Sequence, residues 1–513
     1  MVMTDAVVVG SGPNGLAAAI RIAEAGRSVL VLEAADHPGG AVRTEELTLP
    51  GFHHDTFSAV HPAGAASPVF GRMPLRGHGL EWVHPAACAA YPVPGAGAAV
   101  LYRDLDATAA SLNDQCRGDG DRWAAFATPF LDAFDAVRAT MLSGFPPVRG
   151  PLRLLADAGP AQALAFARLL PTSAVGLGRR LFESEGARAW LYGAAMHGDA
   201  PVLKPGSAIA GAYLNLLGHA VGWPSPRGGA GRLTDALVGY LRSLGGEIRT
   251  GAPVERIVSV SGRTTGVEVA TGERVAAPLV IADVMPHELV RLAGDGLAGW
   301  YRSALKRYVY GLATLKLDWA LDGPIPWTDE AVRGAGTVHV GGSEPELLAA
   351  IAQSGERLPD APALLLGQQS IADPTRAPEG CHTAWAYTHG PARGVDWAAE
   401  RDRHAERVEA QVERFAPGFR DRILARHVLG PADLQARNRN LVHGDVGGGS
   451  YRLRQVVFRP LPKLSPYSTP LTGLYLGSAA AFPGGAVHGV PGDAAARAAL
   501  NASRGPGGEW RER

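Results

Sequence analysis

Three glycines near the start of the chain, Gly10, Gly12 and Gly15, stand in G-x-G-x-x-G spacing, and a glutamate, Glu33, lies 33 − 15 = 18 residues beyond the last. Residues of these types at these distances can hold a dinucleotide. The first glycine permits a tight turn, the second lets backbone approach a pyrophosphate, and the third lets a helix pack closely on a strand. The acid is at the spacing of one that binds ribose hydroxyls. Such chemistry needs elements to position it. Ala6 to Val9 is a short Val-rich run that reads as a buried parallel strand. A small-residue helix over Leu16 to Glu24 follows, and its N-terminal N–H groups offer partial positive charge to phosphates. A second strand, Ser28 to Leu32, ends at the acid. Strand, glycines, helix, strand and acid in register read as a nucleotide-binding βαβ unit rather than an ordinary Gly-rich turn.

The segment after Glu33 selects the ligand. It runs Ala34 to Thr44 and holds a second glycine pair, Gly39-Gly40, which lets a loop lie flat where any Cβ would collide with an extended cofactor. This pattern favours FAD, with NAD as the less favoured alternative.

A second Gly-rich signal closes the chain. Gly473 to Ser478 reads as a buried strand, followed by a loop, Pro483 to Asp493, that feeds a helix from about Pro491 to Asn501. A glycine-lined loop at a helix N-terminus can stabilise negative charge on a reduced flavin. Between the two ends, Trp223 to Leu233 reads as a return to the cofactor. A helix (234–244) and strands at 247–249, 253–260, 266–270 and 279–282 follow. Val254 lies where the first strand of that hairpin can present backbone to an adenine. Arg307 to Leu321 alternates as one long strand, with Tyr308, Tyr310, Leu312, Thr314, Lys316 and Asp318 on one face. Lys316 sits mid-strand among apolar neighbours, where an unpaired ammonium is costly. Asp318 is its natural partner, and a functional task is the alternative. His53, His54 and His61 lack metal-site spacing and read as surface or loop residues.

Composition sets the limits. Of 513 residues, 46% are hydrophobic, enough for a large core, and 49 basic residues balance 49 acidic ones. That balance calls for no nucleic acid partner. Cys88, Cys116 and Cys381 are far apart, so dithiol redox chemistry, structural zinc and a disulfide framework are disfavoured and a reducing, cytoplasmic setting is expected. No signal peptide and no spanning apolar run are read. The expected architecture is α/β: a Rossmann-type FAD-binding domain with a discontinuous α+β substrate domain. FAD-binding parts are placed at 1–73, 214–298 and 431–503, substrate parts at 74–213 (a helical lid) and 299–430, and a disordered tail at 504–513. Within the lid, 151–182 interleaves Leu, Ala and Phe with four arginines and a single acid, Asp157. It reads as a lid packed over the active site, or alternatively as a basic surface that makes peripheral membrane contact.

The stretches VVVGSGPNGLAAA, LEAADHPGGAVRTEE, RGGAGRLTDAL, LKLDWALDGPIPW, NLVHGDV and TPLTGLYLGSAAAFPGGAVHGVPGDAAA together resemble the phytoene desaturase-like FAD oxidoreductases, within the wider amine oxidase and glutathione reductase-type group. The subgroup it most resembles is called pyridine nucleotide-disulfide oxidoreductase domain-containing protein 2, although the cysteines support no disulfide. The resemblance implies FAD contacts at Gly10, Gly12, Gly15, Glu33, Gly40, Arg43, Val254, Gly477 and Gly492. Pro13, Asn14, Ala34, Gly39, Gly485 and Val487, in the same loops, complete the candidate set. Relatives carry His-Pro-Gly-Gly where this chain has Phe482-Pro483-Gly484-Gly485, and His488 follows six positions later. His488 and Lys316 are the candidate catalytic side chains. In related amine oxidases a lysine in a similar strand holds a water beside the flavin. The implied activity is hydride removal from a largely apolar small molecule. An oxygen-dependent amine oxidase and a flavin-containing scaffold without turnover are the alternatives.

Overall fold

The computed structural model describes residues 2–197 and 201–503, so the tail expected at 504–513 lies outside the described residues. Five short strands form an all-parallel sheet in the order Glu247–Arg249, Val29–Leu32, Ala6–Val9, Leu279–Ala282, Leu474–Leu476. The three central strands are four residues each, and Ala6–Val9 and Val29–Leu32 are buried throughout, as a sheet covered on both faces requires. Strands from both chain ends therefore meet in one sheet. A second sheet joins Val2–Met3 to Arg274–Ala276, Arg263–Val269 and Val254–Val260.

The helix after the first glycines spans Pro13–Glu24, three residues longer at its start than the sequence suggests. Pro13 takes the first helical position, where its fixed φ fits and its missing N–H costs nothing. Val490–Ser503, the last helix, packs across it. A Cβ placed on Gly492 would lie 1.8 Å from the Asn14 carbonyl oxygen. At this crossing Asp493, fully buried, receives Arg21 at 2.8 Å, Arg72 at 2.6 Å and Arg497 at 2.7 Å.

The substrate part is built on a seven-stranded sheet ordered 423–429, 313–321, 382–390, 364–367, 335–340, 87–93, 97–101. Two features differ from expectation. The segment 74–213 is not only helical: Ala87–Val93 and Gly97–Leu101 form a hairpin that completes this sheet. Their Ala-rich sequences give no strand alternation, because both faces are buried. The long strand also begins at Ala313 rather than 307. Upstream of it, Val309 and Gly311 give their backbone N–H groups to the side chains of Gln455 and Asp445, later in the chain, instead of to a sheet neighbour. One face of the sheet packs under the helix Trp397–Phe415 through Leu315, Leu317, Trp319 and Val338.

The Gly492 contact generates a prediction. Gly492→Ala forces the first and last helices apart and should lower stability by about 1–3 kcal/mol, the usual cost of overpacking. Urea unfolding checks it, and an unchanged midpoint would contradict the close approach.

Candidate functional site

The carboxyl end of the parallel sheet gathers the nucleotide-binding candidates. Gly10 turns the chain at φ 96°, a conformation that favours glycine. A Cβ on Gly15 would meet the Gly10 carbonyl oxygen at 2.1 Å, which is the close helix–strand packing read from the spacing. Gly12 caps the helix Pro13–Glu24 without a side chain, so the first-turn N–H groups beside Pro13 and Asn14 suit an anionic pyrophosphate. Glu33 stands at the end of the neighbouring strand and accepts from the Ser11 N–H at 2.9 Å, the Ser11 hydroxyl at 2.6 Å and the Ala35 N–H at 2.9 Å. Val254 follows a stretch, Gly251 and Ala252, whose N–H groups bond the carbonyls of Ala35 and Glu33. The start of the hairpin thus lies against the backbone at Glu33 and Ala35.

The second glycine pair lies against the first. A Cβ on Gly40 would come within 3.0 Å of the Gly12 Cα, and one on Gly39 within 2.5 Å of the Val42 carbonyl oxygen. Arg43 follows, with its guanidinium over the Phe57 ring and its buried Nε without a hydrogen-bond partner among the described residues. Gly477 directly follows the last strand and packs on Ile281, Ala495 and Gly492. After it comes the loop 482–489, where Ala486 and Val487 both have positive φ, 95° and 54°. A β-branched residue in that region is strained by about 1–3 kcal/mol, and such strain collects where a ligand is held. A Cβ on Gly485 in this loop would meet the Gly447 carbonyl oxygen at 2.8 Å.

A side-chain-free helix start, a ribose-side acid, an orphaned guanidinium nitrogen and a strained glycine loop fit the pyrophosphate, ribose and ring of FAD in turn. When bound, FAD would lie between these elements.

His488 is buried, its Nδ1 accepts the Val490 N–H at 3.2 Å, and its carbonyl accepts the Ser67 hydroxyl at 2.6 Å. Burial pulls its ring down to about 4, so it is neutral near pH 7 and caps the last helix. Lys316 is also buried and pairs with Asp318 at 2.5 Å. Burial pushes Asp318 up to about 6 against the pull of Lys316. The sequence reading of the histidines needs correction. His54 and His61 are almost wholly buried. His54 belongs to the strand His54–Asp55, bonds the Thr48 hydroxyl at 2.7 Å and lies 3.7 Å from Asp318, while His61 packs on Trp82. Around Lys316 the same face of the seven-stranded sheet carries Thr314, Trp385, Tyr387, His389 and His339.

Two groups of functional residues escaped the sequence. Asp283, at the end of the strand beside Ala6–Val9, directs Oδ2 to the Gly15 N–H at 2.9 Å. Its place just past a strand end was visible, but its direction was not. Arg376 forms the second group with Asp55 and Asp373, each at 2.9 Å and all essentially buried. Asp55 also accepts from Thr44 and the Ala230 N–H, and Asp373 from the Gly228 N–H, each at 2.7 Å. This triad ties the loop after Gly40 to the returning loop 228–231. Asp373 and Arg376 are three residues apart, but Asp55 lies 321 positions from Arg376, so the group as a whole has no spacing signature.

Asp283 gives a pH prediction. Burial pushes it up to about 7, with Gly15 pulling down and Glu33 pushing up. The unfolded chain loses this proton near 3.8 while the folded chain keeps it until about 7. The folded state therefore binds more protons within that window, and stability falls as pH rises through it. Flavin-free Asp283→Asn, which keeps an acceptor for Gly15, should lose less stability than the wild type between pH 5 and pH 7. Parallel stability curves would contradict the assignment.

A model of the family described as flavin containing amine oxidoreductase matches residues 14–500. The chain is 28% identical to the pyridine nucleotide-disulfide oxidoreductase domain-containing protein 2 of Mus musculus, over 96% of this chain and 92% of that one. It is 26% identical to the lycopene-forming phytoene desaturase of Pantoea ananas, over 97% and 99%. Among solved structures, an oxidoreductase from Methanosarcina mazei shares the fold at a TM-score of 0.63 and 18% identity, covering 95% of this chain and 98% of its own. With a matched model spanning nearly its whole length and an FAD cradle built from both its ends, this chain belongs to the flavin containing amine oxidoreductase family and is an FAD-dependent oxidoreductase.

Proposed function

We propose that this protein removes hydride from a largely apolar substrate and forms a C=C or C=N bond, as a desaturase or dehydrogenase. The observation that carries the reading is the chemistry of the sheet face beside the cofactor cradle. Trp385 and Tyr387 stack at 5.8 Å. Burial pulls His197 down to about 3, His389 to about 4 and His339 well below its ordinary value, so their rings are uncharged. His197 and His339 share a hydrogen bond between their Nε2 atoms at 2.8 Å, and both edge onto Trp223. A wall of aromatic and neutral imidazole rings favours an uncharged donor. The phytoene desaturase relative, whose name describes a lycopene-forming enzyme, supports the same class.

Bound FAD supplies the two-electron acceptor. The chain supplies the rest: Gly12 and the helix start orient the pyrophosphate, Glu33 the ribose, and the aromatic wall excludes water. Lys316 and Asp318 are the pair suited to hold the proton that leaves with the hydride, because Asp318 Oδ2 is buried and unpartnered among the described residues. An amine oxidase reading has one feature in its favour, a lysine in the middle of the strand Ala313–Leu321. Against it, Asp318, a carboxylate that would greet an ammonium on this face, already holds Lys316.

The test is an anaerobic screen that follows flavin bleaching. Apolar donors should bleach the flavin, and rapid peroxide formation with primary amines would overturn the proposal. Lys316→Met should keep FAD bound and slow one half-reaction by about tenfold to a thousandfold. Stopped-flow traces matching the wild type in both halves would return Lys316 to a structural role.

A further inference from the structure

We propose that the surface formed by the helix Arg149–Ala167, the turn 168–173, the loop 201–206 and the short helix Leu453–Val457 docks this protein on an anionic lipid bilayer. The first helix carries two apolar faces where a globular helix needs one. Gly150 and Leu154 point into the core. Val148, Leu152 and Leu155, spaced by four and three, lie on the opposite side and are 53%, 63% and 46% exposed. Beyond the break at Gly159 the pattern repeats: Phe166 is buried, while Leu164 and Arg168 share the outer side. Leu170 and Leu203 continue the patch. The two ends of this surface touch, since a Cβ on Gly206 would sit 3.8 Å from both the Leu170 carbonyl oxygen and Leu453 Cδ1. Phe458, directly after the short helix Leu453–Val457, is also exposed.

Monomeric proteins rarely show contiguous apolar patches of this kind without a partner, and the charges around it indicate which partner. Arg149, Arg153, Arg168, Lys204, Arg452 and Arg454 are all exposed around the leucines. Residues 148–172, 201–206 and 452–464 contain one acid, Asp157, which is paired with Arg153 at 3.0 Å, and Asp135 on the neighbouring helix approaches the same arginine at 3.9 Å. Across a two-fold axis a second copy would set this positive ring against itself. A leaflet with anionic headgroups complements both the leucines and the arginines. No described helix is long and apolar enough to cross a membrane, so the contact is with the surface. The inference rests on this surface alone and does not depend on which donor the flavin oxidises.

Flotation of the flavin-loaded protein with vesicles tests it. The protein should float with vesicles of phosphatidylcholine and phosphatidylglycerol, float less with phosphatidylcholine alone, and release as salt rises from about 0.05 M to about 0.5 M. Leu152→Glu combined with Leu155→Glu and Leu164→Glu should cut the partition by about tenfold or more while flavin content and melting stay as in the wild type. Arg149→Glu with Arg168→Glu should remove the preference for the anionic vesicles. The proposal is overturned if the wild type floats with neither vesicle, or if the leucine variant floats as well as the wild type. A dimer split by the leucine variant, with no lipid binding, would assign the patch to a second copy and overturn it as well. Should the leucine variant lose its flavin, the salt dependence of the wild type decides.

Discussion

Everything at the candidate site depends on the close crossing of the first and last helices. Pro13–Glu24 and Val490–Ser503 are separated by most of the chain, yet Gly492 leaves no room for a Cβ against the Asn14 carbonyl. The crossing brings the end of the loop 482–489 against the first helix, where a Cβ on Gly489 would sit 3.0 Å from the Ala17 Cβ. It is fastened by one buried carboxylate, Asp493, with three guanidinium partners. A buried acid with that many partners is costly to leave unpaired, so the two ends are held to one arrangement. Strain at Ala486 and Val487 is tolerated in a loop held on one side by the strand Leu474–Leu476 and on the other by the crossing helix Val490–Ser503.

A second buried network joins the cofactor cradle to the substrate sheet. Arg376 bridges Asp55 and Asp373, and those acids in turn hold the backbone at Ala230 and Gly228. One residue from Asp55, the uncharged His54 packs 3.7 Å from Asp318, which holds Lys316. A side chain on the sheet is thereby referenced to the loop that carries Gly40 and Arg43. Positioning of this kind matters because displacement of a reacting group by about 1 Å can cost two orders of magnitude in rate.

Local sequence carried the cofactor half of this architecture. The spacing of Gly10, Gly12 and Gly15 maps directly onto a turn, a helix start and a close packing contact, each decided within a few residues. The partner of Lys316 was legible for the same reason, since residues two apart on a strand share a face. Asp283 and Arg376 act across the fold, and no local periodicity reports a partner hundreds of positions away. The hairpin Ala87–Leu101 escaped because its alanines, alternating with nothing polar, look helical until the hairpin joins five other strands in a sheet buried on both faces. His54 and His61 looked like loop residues because their burial comes from packing against distant elements.

The central claim is that the two chain ends close around one FAD. Heat release of the cofactor from purified protein, with chromatographic identification and quantification against protein, tests it most directly. The account predicts FAD at about one per chain. FMN in its place, or a colourless protein that takes up no added FAD, would contradict it.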